Sequence, residues 1–297
     1  MNSVLGSVLL PVALAVVMFG LGLSLTTVDF ARIGKQPKAV FVALCCQLLL
    51  LPAICFGLVE LFDLSPLLAV GMMLLAASPG GTTANLFSHV FRGDVALNIT
   101  LTAVNSVIAV VTLPLVVNFA INHFEPPTEA AGLSLQFDKV VQVFAIVLVP
   151  VVIGMLVRRK SPAFADRMDR PVRIVSVVVL AAVIIGTVVS ERENLGPYLA
   201  ATGLIAAVFC ALSLAVGYAI PHLAKVPHRQ AIATGFEVGV HNSTLAITLA
   251  ISVLGSTDIA VPAAVYGVVM FPVATVFGWL ITRARSGQTP EVGQPIG

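Results

Sequence analysis

The chain has 297 residues, of which 58% are apolar and only 10% carry a charge. Because a soluble domain has about 25% charged residues, this composition excludes an ordinary water-soluble protein. Together with a mean hydropathy of +1.04, it predicts a protein embedded in a lipid bilayer. The net charge of +2 is no argument for nucleic-acid binding, and without a basic patch interleaved with aromatic residues we expect no nucleic-acid partner.

Apolar segments follow one another along almost the whole chain, each near the roughly 20 residues that cross a bilayer core as a helix. The first is read as a helix and not as a secretory signal, because Met1 to Gly6 contains no basic residue. The sequence therefore predicts an all-α polytopic membrane protein of about nine transmembrane helices, with a disordered tail over 286–297. The predicted bounds are 4–25, 38–60, 66–90, 94–122, 138–158, 171–190, 196–220, 228–254 and 258–283.

Basic residues alternate regularly between the ends of these segments. Only Lys139 and Arg192 fall on the side opposite to the other 14 of the 16. Since Lys and Arg collect in cytoplasmic loops, we expect a multi-pass protein of the cell inner (plasma) membrane, with its N-terminus outside and its C-terminus in the cytoplasm. The 14 are Arg32, Lys35, Lys38, Arg92, Arg158, Arg159, Lys160, Arg167, Arg170, Arg173, Lys225, Arg229, Arg283 and Arg285.

The third and eighth segments are interrupted near their middles, at 78–82 and at 237–243. Proline removes a backbone donor and paired glycines permit non-helical dihedrals, so both helices are predicted to be discontinuous. Segments five apart run in opposite directions, which is typical of inverted repeats with a binding site at the membrane midplane. We predict a first repeat over 1–123 and a second over 138–285. The alternative is a pair of structural kinks, since Pro and Gly are common in membrane helices.

Oxygen-bearing side chains gather around these breaks. Glu237 is an acidic residue at mid-span, where an ionisable group is costly and indicates function. Asn98, Thr102 and Asn105 share one face of the fourth segment, and Gln47 interrupts the apolar second one. Such oxygens suit hard cations, whereas half-helix N-termini favour anions, so the pattern predicts cation–anion symport. A purely structural Glu237, and an Asn/Thr face that serves as interhelical glue, are the alternatives.

Several motifs resemble those of the bile acid:sodium symporter family. They are the Met18–Leu23 opening with Asp29-Phe30, Ser78-Pro79-Gly80-Gly81-Thr82 followed by Asn85, Arg92–Leu97, Glu237-Val238-Gly239, and Asn242-Ser243. The resemblance covers nearly the whole chain. It implies core and panel domains of the sodium/proton antiporter type, here without the first of the family's ten helices.

The resemblance also implies two sodium sites where the broken helices cross. The first would use Asn85, Thr102, Glu237 and the positions of Ala84 and Asn98; the second would use Gln47, Glu237, carbonyls near Val238 and Val240, and His241. Thr82 and Asn242 match positions near the organic anion, and Thr83, Ser243 and Asn105 complete the candidate substrate-binding residues. The family has glutamine at the position of His241. An imidazole is a poor sodium ligand that titrates near neutral pH, so one sodium with proton participation is an open alternative to two.

From the residues and the resemblance together we expect a secondary transporter that couples sodium to the symport of a small carboxylate or bile-acid-like anion by alternating access. Sodium, the anion and the bilayer are the expected partners, with no cofactor besides Na⁺ as coupling ion and no other metal. A cation/proton antiporter on the same fold is the rival interpretation. An intramembrane enzyme is not expected, because no nucleophile–base pair or H-E-x-x-H set is present.

Overall fold

The computed structural model describes residues 34–126, 137–168 and 195–286, with scattered positions in 15–26 and 171–178. Every regular element in these residues is a helix, which confirms the all-α prediction for this part of the chain. Nearly all of the predicted sixth segment, most of the first, and the tail beyond 286 lie outside the described residues. The predicted count of nine transmembrane helices therefore stays a prediction.

Four of the described helices have the length and apolar composition to cross a membrane. Their bounds lie within a few residues of the predicted ones at most ends, and the described helices confirm a polytopic membrane protein. The helix labelled α5 below is also of spanning length, with 24 residues. In chain order the long helices are α1 (Pro37–Leu61), α4 (Val95–Phe124), α5 (Phe137–Lys160), α6 (Leu195–Leu223) and α9 (Thr257–Ser286).

Four shorter helices come in two pairs, and a few non-helical residues separate the two members of each pair. Helix α2 (Pro66–Ala77) stops before Ser78, and α3 (Thr82–Val90) begins four residues later. Helix α7 (His228–Gly239) and α8 (Ser243–Ser252) are separated in the same way. At 1.5 Å per residue none of the four is long enough to cross a bilayer core alone.

Helix α1 contains an irregularity that the sequence analysis did not predict. Residues Cys46–Leu50 form a turn of π-helix. Pro52 lies two residues after the turn ends; it has no backbone N–H, and its ring would clash with the carbonyl four residues earlier, so the wide turn relieves the clash. Such turns often occur at functional sites. This one contains the buried Gln47.

The packing is apolar toward the lipid and polar inside. Large apolar side chains are exposed on the outer surface, among them Phe41, Leu49 and Leu204. Helix α2 is buried from Ala69 to Ala77 and packs against α1, α4 and α9, while α6 packs against α7 and α9. The breaks themselves, at 78–81 and 240–242, are buried, so their backbone groups are shielded from lipid.

Candidate functional site

The two helix breaks meet each other. Gly80 and His241 form an isolated antiparallel β-bridge. The Gly81 N–H donates to the Val240 carbonyl at 2.8 Å, and the Asn242 N–H donates to the Pro79 carbonyl at 2.9 Å. Each broken segment therefore satisfies backbone groups of the other, which fixes the ends of α2, α3, α7 and α8 around one point.

The carboxylate of Glu237 lies at this crossing, and the residue is fully buried. The Thr102 hydroxyl donates to Oε2 at 2.6 Å, and Nδ2 of Asn105 donates to Oε1 at 3.1 Å. The backbone N–H of Gly80 is a third donor. Donors from α4 and from the first break thus converge on an acidic group supplied by α7.

Gly80 is in direct contact with that carboxyl group. A Cβ built at this position would overlap the Glu237 carboxyl carbon and both of its oxygens. The Gly80-Gly81 pair therefore does more than permit an extended backbone, because the missing side chain makes the room that the carboxylate fills. The sequence indicated the flexibility but not this contact.

The face of α4 presents further buried oxygens. Nδ2 of Asn98 donates to Ser88 Oγ at 2.9 Å and to the Ala233 carbonyl at 2.7 Å, which leaves Asn98 Oδ1 without a hydrogen-bond partner. Asn105 Oδ1 is buried and unpartnered as well. Both side-chain amides thus donate hydrogen bonds from Nδ2 to protein acceptors, and both keep a free Oδ1. This arrangement is expected of cation ligands.

A second cluster of polar side chains surrounds the carbonyl of Ser78, the residue that follows the end of α2. Gln47 Nε2 donates to this carbonyl at 3.0 Å, and His241 Nδ1 lies 3.2 Å from it. The imidazole stacks on Phe209, with ring centroids 5.5 Å apart. Gln47 and His241 thus meet at the Ser78 carbonyl, and their Oε1 and Nε2 atoms remain buried without a partner.

The other residues predicted for sodium occupy different positions. Asn85 lies one turn into α3 and has a buried, unpartnered Oδ1. Ala84 is buried and offers only its backbone, and the Val238 side chain packs near Gly217 of α6. The Val240 carbonyl accepts from Gly81, so one of its two lone pairs is already used.

The residues predicted to bind the substrate lie in different environments. Asn242 caps α8, because its Oδ1 accepts from the Leu245 N–H at 3.0 Å. Ser243 faces Gly267 of α9 and has an unpartnered Oγ, and Thr83 lies at the start of α3, beside Gly81. Thr82 is the first residue of α3, but its side chain is outside the described residues. Asn105, also predicted beside the substrate, donates to Glu237.

Sequence reasoning missed two residues that stabilise the second break by hydrogen bonding to the carbonyl of its preceding residue, Gly239. The Tyr266 hydroxyl donates to the Gly239 carbonyl at 2.8 Å, and Cys210 Sγ donates weakly to the same oxygen at 3.7 Å. Tyr266 is fully buried and lies edge-on to His241, with ring centroids 5.5 Å apart. A tyrosine in the middle of an apolar segment was the available signal, since a buried hydroxyl needs a partner.

The chain was compared with known proteins. Residues 11–197 match the model of the sodium bile acid symporter family. A Bacillus subtilis protein described as an uncharacterized sodium-dependent transporter is 29% identical over 86% of this chain and 77% of its own length. A probable sodium/metabolite cotransporter of Arabidopsis thaliana chloroplasts is 27% identical over 94% of the chain and 68% of its own length. The human ileal sodium/bile acid cotransporter is 27% identical over 83% of the chain and 70% of its own length.

The family match covers more than half of the chain and confirms the resemblance read from the break motifs. The matched relatives are transporters and not enzymes, and the apolar helices are those of a multi-pass membrane protein. The chain belongs to the sodium bile acid symporter family.

Proposed function

We propose that this protein carries a small organic anion across the membrane together with sodium. The observation that carries the proposal is the fully buried carboxylate of Glu237 at the crossing of two broken helices, with unpartnered amide oxygens of neighbouring residues nearby. A buried charge is costly unless it is paired. A cation at this carboxylate supplies the missing charge, and free amide oxygens are what a hard cation binds.

The donor set supports a first sodium position at Glu237, Thr102 and the oxygen of Asn98. Asn105 belongs to this group as well, because its amide already touches the carboxylate. Asn85 adds a buried amide oxygen from α3. The set contains one carboxylate and neutral oxygens, which suits a monovalent hard cation better than zinc or copper.

A second cation position at Gln47, His241 and the nearby carbonyls has weaker support. Gln47 Oε1 is a free buried oxygen, but the other side-chain ligand is a nitrogen, which sodium binds poorly. The Val240 carbonyl is already shared with Gly81. One sodium per cycle is therefore the stoichiometry that the arrangement favours.

The anion would bind beside the starts of α3 and α8, whose N-termini carry partial positive charge. The unpartnered hydroxyl of Ser243 offers a further donor there. Cation and anion would then occupy neighbouring positions, and the predicted repeats over 1–123 and 138–285 would move relative to each other to give alternating access. Named relatives carry bile acids or metabolites, so we propose a carboxylate of this general kind.

The test is uptake by proteoliposomes that contain the purified chain. A panel of labelled organic acids, including a bile acid and small keto acids, is offered under an inward sodium gradient or an equal choline gradient. We expect at least one acid to accumulate only with sodium. Uptake that is equal in choline would rule out sodium coupling. Sodium efflux driven by a proton gradient without any anion would instead favour the cation/proton antiport alternative.

A further inference from the structure

A groove opens on the outer surface between the helical residues of 15–23, helix α5, and the segment after it. Its volume is about 380 Å³ and all its lining residues are apolar. Small-molecule pockets range over roughly 300–1,000 Å³, but this one has no polar group to orient such a ligand. The lining residues that matter below are Val16, Phe19, Pro150, Ile153, Met168 and Val175.

Basic side chains lie at one end of this groove. Lys160 follows Ile153 by seven residues on α5, which is close to two helical turns, so it lies on the same face and about 10 Å nearer the helix end. Arg167 is the neighbour of Met168. Lys160 and Arg167 are both exposed, whereas Arg158 is occupied by the Leu23 carbonyl at 2.8 Å and by Asp166 at 3.2 Å.

From this geometry we infer that the groove binds one acyl chain of an anionic phospholipid, with the phosphate held by Lys160 and Arg167. The length of α5 from Pro150 to Lys160 is about 15 Å at 1.5 Å per residue, half of a bilayer core of about 30 Å. A chain in the groove therefore places its headgroup at the level of the two cations. Basic pockets beside transmembrane helices on the cytoplasmic face recognise anionic lipid headgroups in this way, and Phe164, exposed to 49%, lies in the same short connection.

The site is separate from the crossing of the broken helices and does not depend on the proposed transport. The groove is assigned to a lipid and not to a second copy of the chain, because the exposed Lys160 and Arg167 at its end would repel their symmetry mates. The exposed Asp166 beside them is already paired with Arg158, so it is not free to neutralise these two cations in a chain-to-chain contact.

The experiment is native mass spectrometry of the full chain in detergent, titrated with phosphatidylglycerol or phosphatidylcholine. We expect one phosphatidylglycerol to bind more tightly than phosphatidylcholine. The variant Lys160→Gln/Arg167→Gln should weaken that binding roughly 25-fold, since each of the two basic residues near an anionic headgroup contributes about one kcal/mol, or about a fivefold change. The matched control Lys225→Gln/Arg229→Gln removes two exposed basic residues, one from the connection between α6 and α7 and one from the first turn of α7, and should leave the affinity unchanged.

A second pair of variants tests the groove itself. Ile153→Trp fills the groove and should weaken binding, whereas Val152→Trp changes an equally exposed neighbour that does not line it and should not. Equal binding of the two lipids, equal loss in both charge variants, or wild-type affinity in Ile153→Trp would overturn the inference. A chain dimer that Ile153→Trp dissociates without changing lipid affinity would overturn it as well.

Discussion

The carboxylate of Glu237 is the central group of the candidate cation site. Its burial and its donors from Thr102, Asn105 and Gly80 are compatible with a purely structural acid. What distinguishes a cation site is the neighbouring oxygens that accept nothing, on Asn98 and Asn105. Buried polar atoms normally have a hydrogen-bond partner, and a purely structural role for Glu237 does not explain why these two amide oxygens are buried without one.

Replacing the carboxylate by its amide tests this assignment. Glu237→Gln keeps the volume and an acceptor oxygen but removes the charge that balances the cation, so sodium-dependent uptake should fall to background. The protein should still fold and insert, as judged by gel filtration and by its unfolding midpoint. Glu60→Gln is the matched control, because Glu60 is half exposed and pairs with His123. Unchanged sodium dependence in Glu237→Gln would make the residue structural.

His241 allows a test of the sodium stoichiometry. Its Nδ1 lies against the Ser78 carbonyl and its ring stacks on Phe209, so a nitrogen stands where the family resemblance implies an amide oxygen. We expect sodium-dependent uptake by the wild type to show a Hill coefficient near one. His241→Gln restores an oxygen and should raise the coefficient toward two. A wild-type value near two would show that the imidazole does not prevent the second sodium from binding.

At the scale of elements, the sequence predicted the helices better than their contacts. The predicted segment 38–60 is α1, Pro37–Leu61, because a long apolar run in a bilayer has only one regular structure available. The interruptions were visible because Pro79 and the paired glycines are strong local signals. The π turn at Cys46–Leu50 was missed, since Pro52 alone does not reveal how a helix adapts. The contact of Gly80 with Glu237 and the position of Asn105 depend on how distant elements pack, which no local pattern encodes.

The packing of the first break on the carboxylate leads to a prediction for Gly80. In Gly80→Ala the new methyl group would overlap the Glu237 carboxyl group, and overpacking of this kind costs about 1–3 kcal/mol. We expect the apparent sodium affinity, measured by thermal-shift titration, to fall at least tenfold. Gly57→Ala is the control, because a Cβ there meets nothing within 4 Å. Equal sodium affinity in both variants would mean that the carboxylate does not bind the cation in this position.

For the whole molecule, the distribution of basic residues predicts an orientation that labelling can measure. The end of α5 carries Arg158, Arg159 and Lys160, whereas Glu125 follows α4 at the other membrane face. In intact cells, a membrane-impermeant maleimide should label Glu125→Cys but should reach Lys160→Cys only after permeabilisation. The native cysteines are buried or half-buried, and the unsubstituted chain is the control for them. The reverse labelling pattern would show that the orientation in the membrane is opposite to the predicted one.

Coupling between sodium and the anion is a property of the whole molecule, because the two broken helices that cross at Glu237 come from opposite halves of the chain. A cation at the carboxylate offsets the charge of an anion nearby, and in a site shielded from water this attraction is weakly screened. Coupling free energies are typically about 1–3 kcal/mol, or roughly 5- to 150-fold in affinity, and they are reciprocal. The dissociation constant of a transported acid, measured by calorimetry, should therefore be lower in sodium than in choline. The acid should tighten sodium binding by the same factor, and Glu237→Gln should remove both effects. Equal affinity for the acid in the two salts would show that sodium at the carboxylate does not assist binding of the acid. Glu237 would then have a structural role alone.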